Sequence, residues 1–160
     1  MLITKIKSKE EILDCVNLYY NLNDHSFIEI DKKECIKNLT KIIIDKEFVR
    51  ILKHNDKIIA WLWARKVQAL HSIIPMFQQM YYACSEKGFL AYKSVVLLHE
   101  AMIEEAKRQR ISFAISQGSH MDPDNTYVRI LERNGWERRG HVAIYRIAQD
   151  PIQRSTFLSR

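Results

Sequence analysis

The apolar positions of the first 65 residues repeat with two different periods, and the changes of period predict the boundaries of helices and strands. Apolar and polar residues alternate in one segment, as they do in a half-buried strand, and two later segments are strand-like, the second with Trp61 and Trp63 on one face and Leu62 on the other. In two others the apolar residues recur three and four positions apart, which predicts amphipathic helices. These segments are residues 1–7 (strand), 9–21 and 32–44 (helices), and 48–53 and 58–65 (strands).

Local signals mark the ends of these elements. Ser8 followed by Glu11 is a capping-box pattern for the first helix, and Asp31 is a suitable cap for the second. Asn55 and Asp56 tolerate the positive φ angles of a tight turn, so the strands that flank them are expected to form a hairpin.

A strand, a glycine turn and a long helix form the centre of the chain. Residues 76–84 predict a strand that ends at Cys84, and an amphipathic helix of about 20 residues follows Gly88. The apolar run at residues 111–116 then predicts a buried parallel strand, which completes a β-α-β unit. The buried stripe of the helix is expected to contain Ala91, Val95, Leu98, Met102 and Ala106.

The last part of the chain begins with a polar loop, QGSHMDPDN, at the carboxyl end of the parallel strand, where ligands of open α/β sheets gather. A helix capped by Asp124 or Asn125 is predicted to end near Gly135, and a hairpin around Gly140 follows. The order is therefore β-α-α-β-β-β-α-β-α-β-β, a mixed α/β domain over residues 1–149 with a surface tail at 150–160.

Composition restricts the class of protein. Hydrophobic residues make up 47% and charged residues 28% of the 160 residues, as in an ordinary globular domain. Charges interrupt every apolar run before it reaches about 18 residues, and the first residues lack the apolar core of a signal peptide, so we expect a cytoplasmic protein without a membrane span. Three widely spaced cysteines predict neither a disulfide framework nor a metal site.

The net charge of +6 lies entirely in residues 51–160, because the first 50 residues are balanced. A basic second half suits an anionic ligand such as a nucleotide-like cofactor, although a merely solvated basic surface explains it as well. No cluster of Lys and Arg alternates with aromatic residues, so a nucleic-acid-binding protein is not expected.

The turn at Gly88 is the first candidate for the ligand site, because free amides at a helix N-terminus bind phosphate. The alternative is that Gly88 only lets the backbone turn without strain between the strand and the helix.

Two segments resemble the GNAT superfamily of acetyl-CoA-dependent N-acetyltransferases: SEKGFLAYKS at residues 85–94, at the place of its pyrophosphate loop, and DNTYVRILERNGW at 124–136, at the place of its fourth helix. The resemblance implies the GNAT fold, with acetyl-CoA as co-substrate. The chain also resembles short acetyltransferase-like proteins of bacteriophages. The implied coenzyme contacts are Tyr82, Ala83 and Cys84 along pantetheine, Lys87, Gly88, Phe89, Leu90 and Ala91 at the pyrophosphate, and Asn125 in the fourth helix.

The sequence departs from the family pattern at several positions. In the loop only Gly88 matches, and Leu90 stands at the second small position. Leu131 occupies the place of the tyrosine that protonates the departing thiolate in the family. Tyr127, one turn earlier on the same helix face, is the candidate acid, with simple packing as its alternative. His120, in the polar loop, is the candidate general base, with an exposed, non-catalytic histidine as the alternative.

We therefore expect an N-acetyltransferase that transfers an acetyl group directly from acetyl-CoA to an amine, carried by a small molecule or a protein. The departures favour a second hypothesis, a GNAT-fold protein that has lost catalysis and serves as a binding or virion-associated structural protein. A viral source would place it in the host cytoplasm. The oligomeric state stays open, with a homodimer as one option.

Overall fold

The computed structural model describes residues 1–22, 31–68, 74–117, 126–139 and 142–147. Within these residues, seven strands and four helices follow in the order expected from the sequence. The strands are β1 (Leu2–Thr4), β2 (Phe48–His54), β3 (Lys57–Val67), β4 (Met76–Cys84), β5 (Phe113–Gln117), β6 (Glu137–Arg139) and β7 (Val142–Arg146), and the helices are α1 (Lys9–Leu22), α2 (Lys32–Ile44), α3 (Gly88–Arg108) and α4 (Thr126–Arg133).

The predicted caps and the hairpin turn are confirmed. Asp31 accepts hydrogen bonds from the backbone amides of the first turn of α2, the nearer at 2.7 Å. At α1 the amide of Glu11 donates to Ser8 Oγ at 3.2 Å, whereas the Glu11 carboxylate accepts from the amide of Lys7. Asn55 and Asp56 adopt φ angles of 49° and 61°, which fit the twist of a hairpin.

Several strand boundaries differ from the expectation, and β3 is longer at both ends, from Lys57 to Val67. β1 ends at Thr4, where its pairing with β2 stops. β5 begins at Phe113 because Arg110 takes a φ of 56° and the amide of Ile111 donates back to Ala106 O, which closes α3. The proposed caps of α4 and the turn at Gly140 lie outside the described residues.

The seven strands form one mixed sheet in the order β1-β2-β3-β4-β5-β7-β6. β4 and β5 are parallel, with Phe77 opposite Ala114, while β7 is antiparallel to both β5 and β6. The mixed α/β fold class is therefore confirmed. None of the helices in the described ranges combines the length and the apolar run that a membrane span needs.

The chain divides into two compact units. The first comprises residues 1–65 and 79–101, and the second comprises 66–78 and 102–160, so β4 and α3 each contribute residues to both. The single domain over residues 1–149 stays a prediction, and the tail at 150–160 lies outside the described residues.

Each unit has buried apolar residues of its own. In the first unit α1 and α2 pack with β2 and β3 around Cys15, Leu39, Ile51 and Trp61. Burial raises the pKa of the Cys15 thiol to about 12, so this cysteine behaves as a core residue. In the second unit α4 packs on β6 and β7. The fully or almost fully buried side chains there include Met102, Ala106, Ala114, Val128, Leu131 and Ala143.

Candidate functional site

The turn between β4 and α3 is held against β3 and leads into α3 through a glycine with a positive φ angle. β4 ends at Cys84, and the amide of Ser85 donates to Ile59 O at 2.9 Å, which holds the chain against β3. α3 then begins at Gly88, whose φ of +59° is unfavourable for other residues. A Cβ atom built on Gly88 would meet nothing within 4 Å. The glycine therefore serves the backbone conformation, and its surroundings are open.

The start of α3 offers hydrogen-bond donors and positive charge. The first amides of a helix have no partner inside it, and here they lie at the positive end of a 21-residue helix with no acidic residue in its first turn. Lys87 and Lys93 are exposed, and Lys93 Nζ lies 4.8 Å from the centre of the Phe89 ring. Phe89 itself is 67% exposed. These features suit a phosphate group beside a flat ring.

The last residues of β4 alternate between the two faces of the sheet. Ala83 belongs to the apolar cluster that contains α1 and α2 residues, and the Tyr81 ring packs 4.8 Å from Trp61. Tyr82 and Cys84 point the other way, because both contact Ser94 of α3.

Ser94 is a fully buried serine at the centre of a small polar network. Its hydroxyl oxygen lies 2.8 Å from the Tyr82 hydroxyl, 2.7 Å from Ala91 O and 3.2 Å from Cys84 Sγ. Since a serine has one proton, it can donate to only one of these groups at a time. Neither the Ser94 hydroxyl nor the carbonyl of Glu86, 3.9 Å from the Cys84 sulfur, is a base that could take the proton of the thiol.

His99 and Gln79 form a second buried polar contact in the first unit. His99 Nδ1 donates to Val95 O at 2.7 Å, and Nε2 lies 3.3 Å from the Gln79 side-chain oxygen. Burial of the ring lowers the pKa of His99 to about 4. The imidazole is therefore neutral near pH 7, and Nε2 is best satisfied when Gln79 turns its amide nitrogen toward it.

In the second unit, Tyr127 lies in the first turn of α4 and is half-buried. Its hydroxyl shares a hydrogen bond of 2.7 Å with that of Ser116, a fully buried residue of β5. Leu131, one turn later, is 1% exposed, so the position where the family motif has a tyrosine is a packing position in this chain.

Two further predicted site residues, His120 and Asn125, lie outside the described residues. Within the described ranges, no group of three or more histidine, cysteine or acidic side chains is arranged to hold a metal ion. Sequence reasoning missed Ser94, His99 and Ser116. These three residues could have been noticed because each is polar and stands at a position that the pattern of its helix or strand predicts to be buried.

No protein-family model matches the chain, and no curated protein matches it in sequence. Solved structures do match its fold. The ribosomal-protein-alanine N-acetyltransferase from Brucella melitensis aligns with a TM-score of 0.67 at 11% identity, over 92% of this chain and 100% of that one. A GNAT-family acetyltransferase from Streptococcus pneumoniae gives a TM-score of 0.67 at 13% identity, over 92% and 99%. The chain has the GNAT acetyltransferase fold.

A further neighbour with the GNAT fold is the PaiA N-acetyltransferase from Thermoplasma acidophilum, whose structure contains coenzyme A. It aligns with a TM-score of 0.63 at 11% identity, over 92% of this chain and 100% of that one. At such low identity the GNAT fold is shared while the site residues are free to differ. In this GNAT fold, Gly88 at the start of α3 agrees with the family motif, and Leu90 and Leu131 depart from it.

Proposed function

We propose that this protein is an acyltransferase that transfers an acetyl group from acetyl-CoA directly to an amine. The observation that carries the proposal is the start of α3, where Gly88 has a φ of +59° and open space around it in a GNAT fold. The free amides of this turn and its two exposed lysines suit a pyrophosphate. The coenzyme A bound by the PaiA neighbour supports the same class of donor.

The proposed binding residues follow the turn from β4 into α3, and residues 1–149 are retained as one domain. The backbone of β4 pairs with pantetheine, and the amides that open α3 hold the pyrophosphate. Leu90 is half-buried, so the exposed part of the turn remains free for an anion. The residues are Tyr82, Ala83 and Cys84 for pantetheine, Lys87, Gly88, Phe89, Leu90 and Ala91 for the pyrophosphate, and Asn125 at the fourth helix.

Two proton transfers complete the proposed reaction. Acetyl-CoA supplies an acetyl group that is activated as a thioester. Tyr127 donates its phenol proton to the sulfur as the carbon–sulfur bond breaks. His120, or a water molecule, takes the proton that the amine nitrogen loses when it bonds to the acetyl carbon. The acceptor amine belongs to a small molecule or a protein.

Calorimetric titration with acetyl-CoA tests the proposal. We expect micromolar binding by the parent chain and none by Gly88→Glu, because the new carboxylate would lie beside the pyrophosphate. Gly88→Lys is the matched control, since it has the same backbone strain of roughly 1–2 kcal/mol and a side chain of similar length. It should retain binding.

Two results would contradict the proposal. If the parent chain shows no binding at millimolar acetyl-CoA, the acyltransferase function is wrong. If neither Gly88→Glu nor Gly88→Lys changes the Kd for acetyl-CoA, the pyrophosphate is not held at this turn. Circular dichroism of both variants checks that the fold is intact.

A second candidate function is a binding module without catalysis. The specific observation in its favour is Leu131, which is buried in α4 where the GNAT motif has its acid. It predicts either no acetyl-CoA binding or binding without release of coenzyme A in the presence of amines, so the titration and a turnover assay distinguish the two candidates.

A further inference from the structure

A groove of about 300 Å³ lies in the first unit, beside the carboxyl-terminal half of α1. Its lining residues come from α1, from the start of β3 and from Ser85, which follows β4. Pockets that bind small molecules measure roughly 300–1,000 Å³, so the groove has room for a small ligand. It is distinct from the turn that opens α3, because neither Lys87 nor Gly88 lines it.

The part of the groove that α1 contributes carries hydrogen-bond acceptors. Asp14, Asn17 and Asn21 are spaced three and four residues apart, so they lie on one face of the helix. Asn17 Oδ1 accepts a hydrogen bond from Lys32 Nζ at 3.2 Å, whereas the Asp14 carboxylate has no hydrogen bond or ion pair with any described residue. The Asp14 carboxylate is therefore available to a ligand in the groove.

The part of the groove that β3 contributes carries a positive charge. Lys57 opens β3 and is exposed, and its ammonium group has neither a hydrogen bond nor an ion pair in the described part of the chain. The Ser85 hydroxyl lies 3.3 Å from both Ile59 O and a carboxylate oxygen of Glu86, so it already has acceptors. Asp14 and Lys57 thus line one groove without forming an ion pair with each other.

The same groove has an apolar part. Leu18 and Ile58 are buried, while Leu22 is 42% exposed. A ligand that enters the groove displaces water from these side chains and from both charges. A cation alone would leave Lys57 without a partner, and an anion alone would leave Asp14 without one, which costs free energy. A ligand with both charges and an apolar chain is complementary to all three features.

We infer that this groove binds a small zwitterion with an apolar side chain, that is, an apolar amino acid. Asp14 holds the ammonium group of the ligand, Lys57 holds its carboxylate group, and Leu18 and Ile58 contact its side chain. The inference goes beyond the proposed function, because it names a ligand other than acetyl-CoA and stands whether or not the protein transfers acetyl groups.

L-Leucine is the probe, and its binding to the full chain is measured by NMR from the shifts of backbone amides. Isoamylamine is leucine without its carboxylate, and isocaproate is leucine without its amine, so the three probes share one apolar chain. We expect L-leucine to bind with a Kd in roughly the millimolar range and to shift the amides of Leu18, Ile58 and Ser85. Each single-charge probe should bind roughly two- to fivefold more weakly, which is the effect of one exposed ion pair.

Charge-removing variants assign the two ends of the ligand. Asp14→Asn should weaken the binding of L-leucine and isoamylamine without weakening that of isocaproate, because only the first two carry an ammonium group. Lys57→Gln should weaken the binding of L-leucine and isocaproate without weakening that of isoamylamine. Asp45→Asn and Lys41→Gln are the matched controls, since they remove the same charges from exposed positions of the same unit that do not line the groove. Both should bind all three probes as the parent chain does.

Three results would overturn the inference. If the shifts caused by L-leucine do not saturate well above millimolar concentration, the groove is not a binding site. If L-leucine binds no more tightly than isoamylamine and isocaproate, or if Asp14→Asn has no more effect than Asp45→Asn, the two charges are only solvated surface groups. The comparison of the three probes on the parent chain needs no variant, and the amide spectra show whether each variant is folded. The titration with acetyl-CoA is a separate measurement, so its failure would leave the inference standing.

Discussion

Acidification should destabilise this protein through His99, before its carboxylates are protonated. The ring is 1% exposed, and burial holds its pKa at about 4, against an ordinary value of 6.5. Between these values the unfolded chain binds a proton that the folded chain does not, so the free energy of unfolding falls as the pH falls. The slope approaches about 1.4 kcal/mol per pH unit below pH 6, and the loss between pH 7 and 5 amounts to about 2 kcal/mol.

Urea unfolding at pH 7, 6.5, 6, 5.5 and 5 measures this loss. His99→Gln removes the titrating group but keeps a hydrogen-bonding side chain, so its unfolding free energy should change by about 2 kcal/mol less than that of the parent over the same range. His54→Gln is the control, because His54 is only half-buried at the end of β2. If the parent and His99→Gln lose stability in parallel between pH 6.5 and 5, the argument from burial is wrong.

Three further predictions concern hydrogen bonds and charge. Ser94→Ala should lower the free energy of unfolding by roughly 0.5–1.5 kcal/mol in urea titration, because the 2.8 Å hydrogen bond with the Tyr82 hydroxyl is lost. Glu11→Gln should destabilise by roughly 1–2 kcal/mol at pH 7, since Glu11 accepts from Lys53 Nζ at 2.6 Å. The hydrogen bond from Lys53 lowers the pKa of Glu11, so this difference should disappear as the pH falls through that lowered value. Lys87→Ala should weaken acetyl-CoA binding several-fold at low salt and less at high salt in calorimetric titration.

The element order could be predicted from the sequence because most elements bury one face only. Burial of one face gives a period of 3.6 in a helix and of 2 in a strand, and both periods are visible in a single chain. The end signals were equally local: Asp31 binds amides two and three residues away, and Asn55 and Asp56 adopt the φ angles that their side chains tolerate.

The arrangement of the sheet could not be predicted by the same reasoning. A periodic strand shows which side it buries but not which strand it pairs with. The insertion of β7 between β5 and β6 depends on contacts across the sheet, where Ala114 lies opposite Tyr145. The resemblance to GNAT proteins implied a fold for the whole chain, which the periods of apolar residues did not.

The hydrogen bonds of the buried polar residues could not be predicted from the sequence either. In the sequence, Ser94 interrupts the apolar stripe of α3. The structure explains it by a hydrogen bond with Tyr82, twelve residues earlier. His99 likewise depends on Gln79, twenty residues earlier and on another element. A polar residue at a buried position of a helix or strand is explained by its hydrogen-bond partner. Because that partner lies far away in the chain, the sequence shows the unusual residue but not the reason for it.

The same reasoning bears on the missing acid of the GNAT motif. Leu131 is 1% exposed, and a tyrosine there would bring a larger side chain and a hydroxyl into a packed position. One turn earlier, the half-buried Tyr127 already has a partner for its hydroxyl in Ser116 of β5. The helix α4 therefore has an apolar packing residue at position 131 and a hydrogen-bonded phenol four residues before it. A buried serine needs a hydrogen-bond partner in an enzyme and in a binding module alike, so release of coenzyme A, compared between the parent chain and Tyr127→Phe, decides between the two hypotheses.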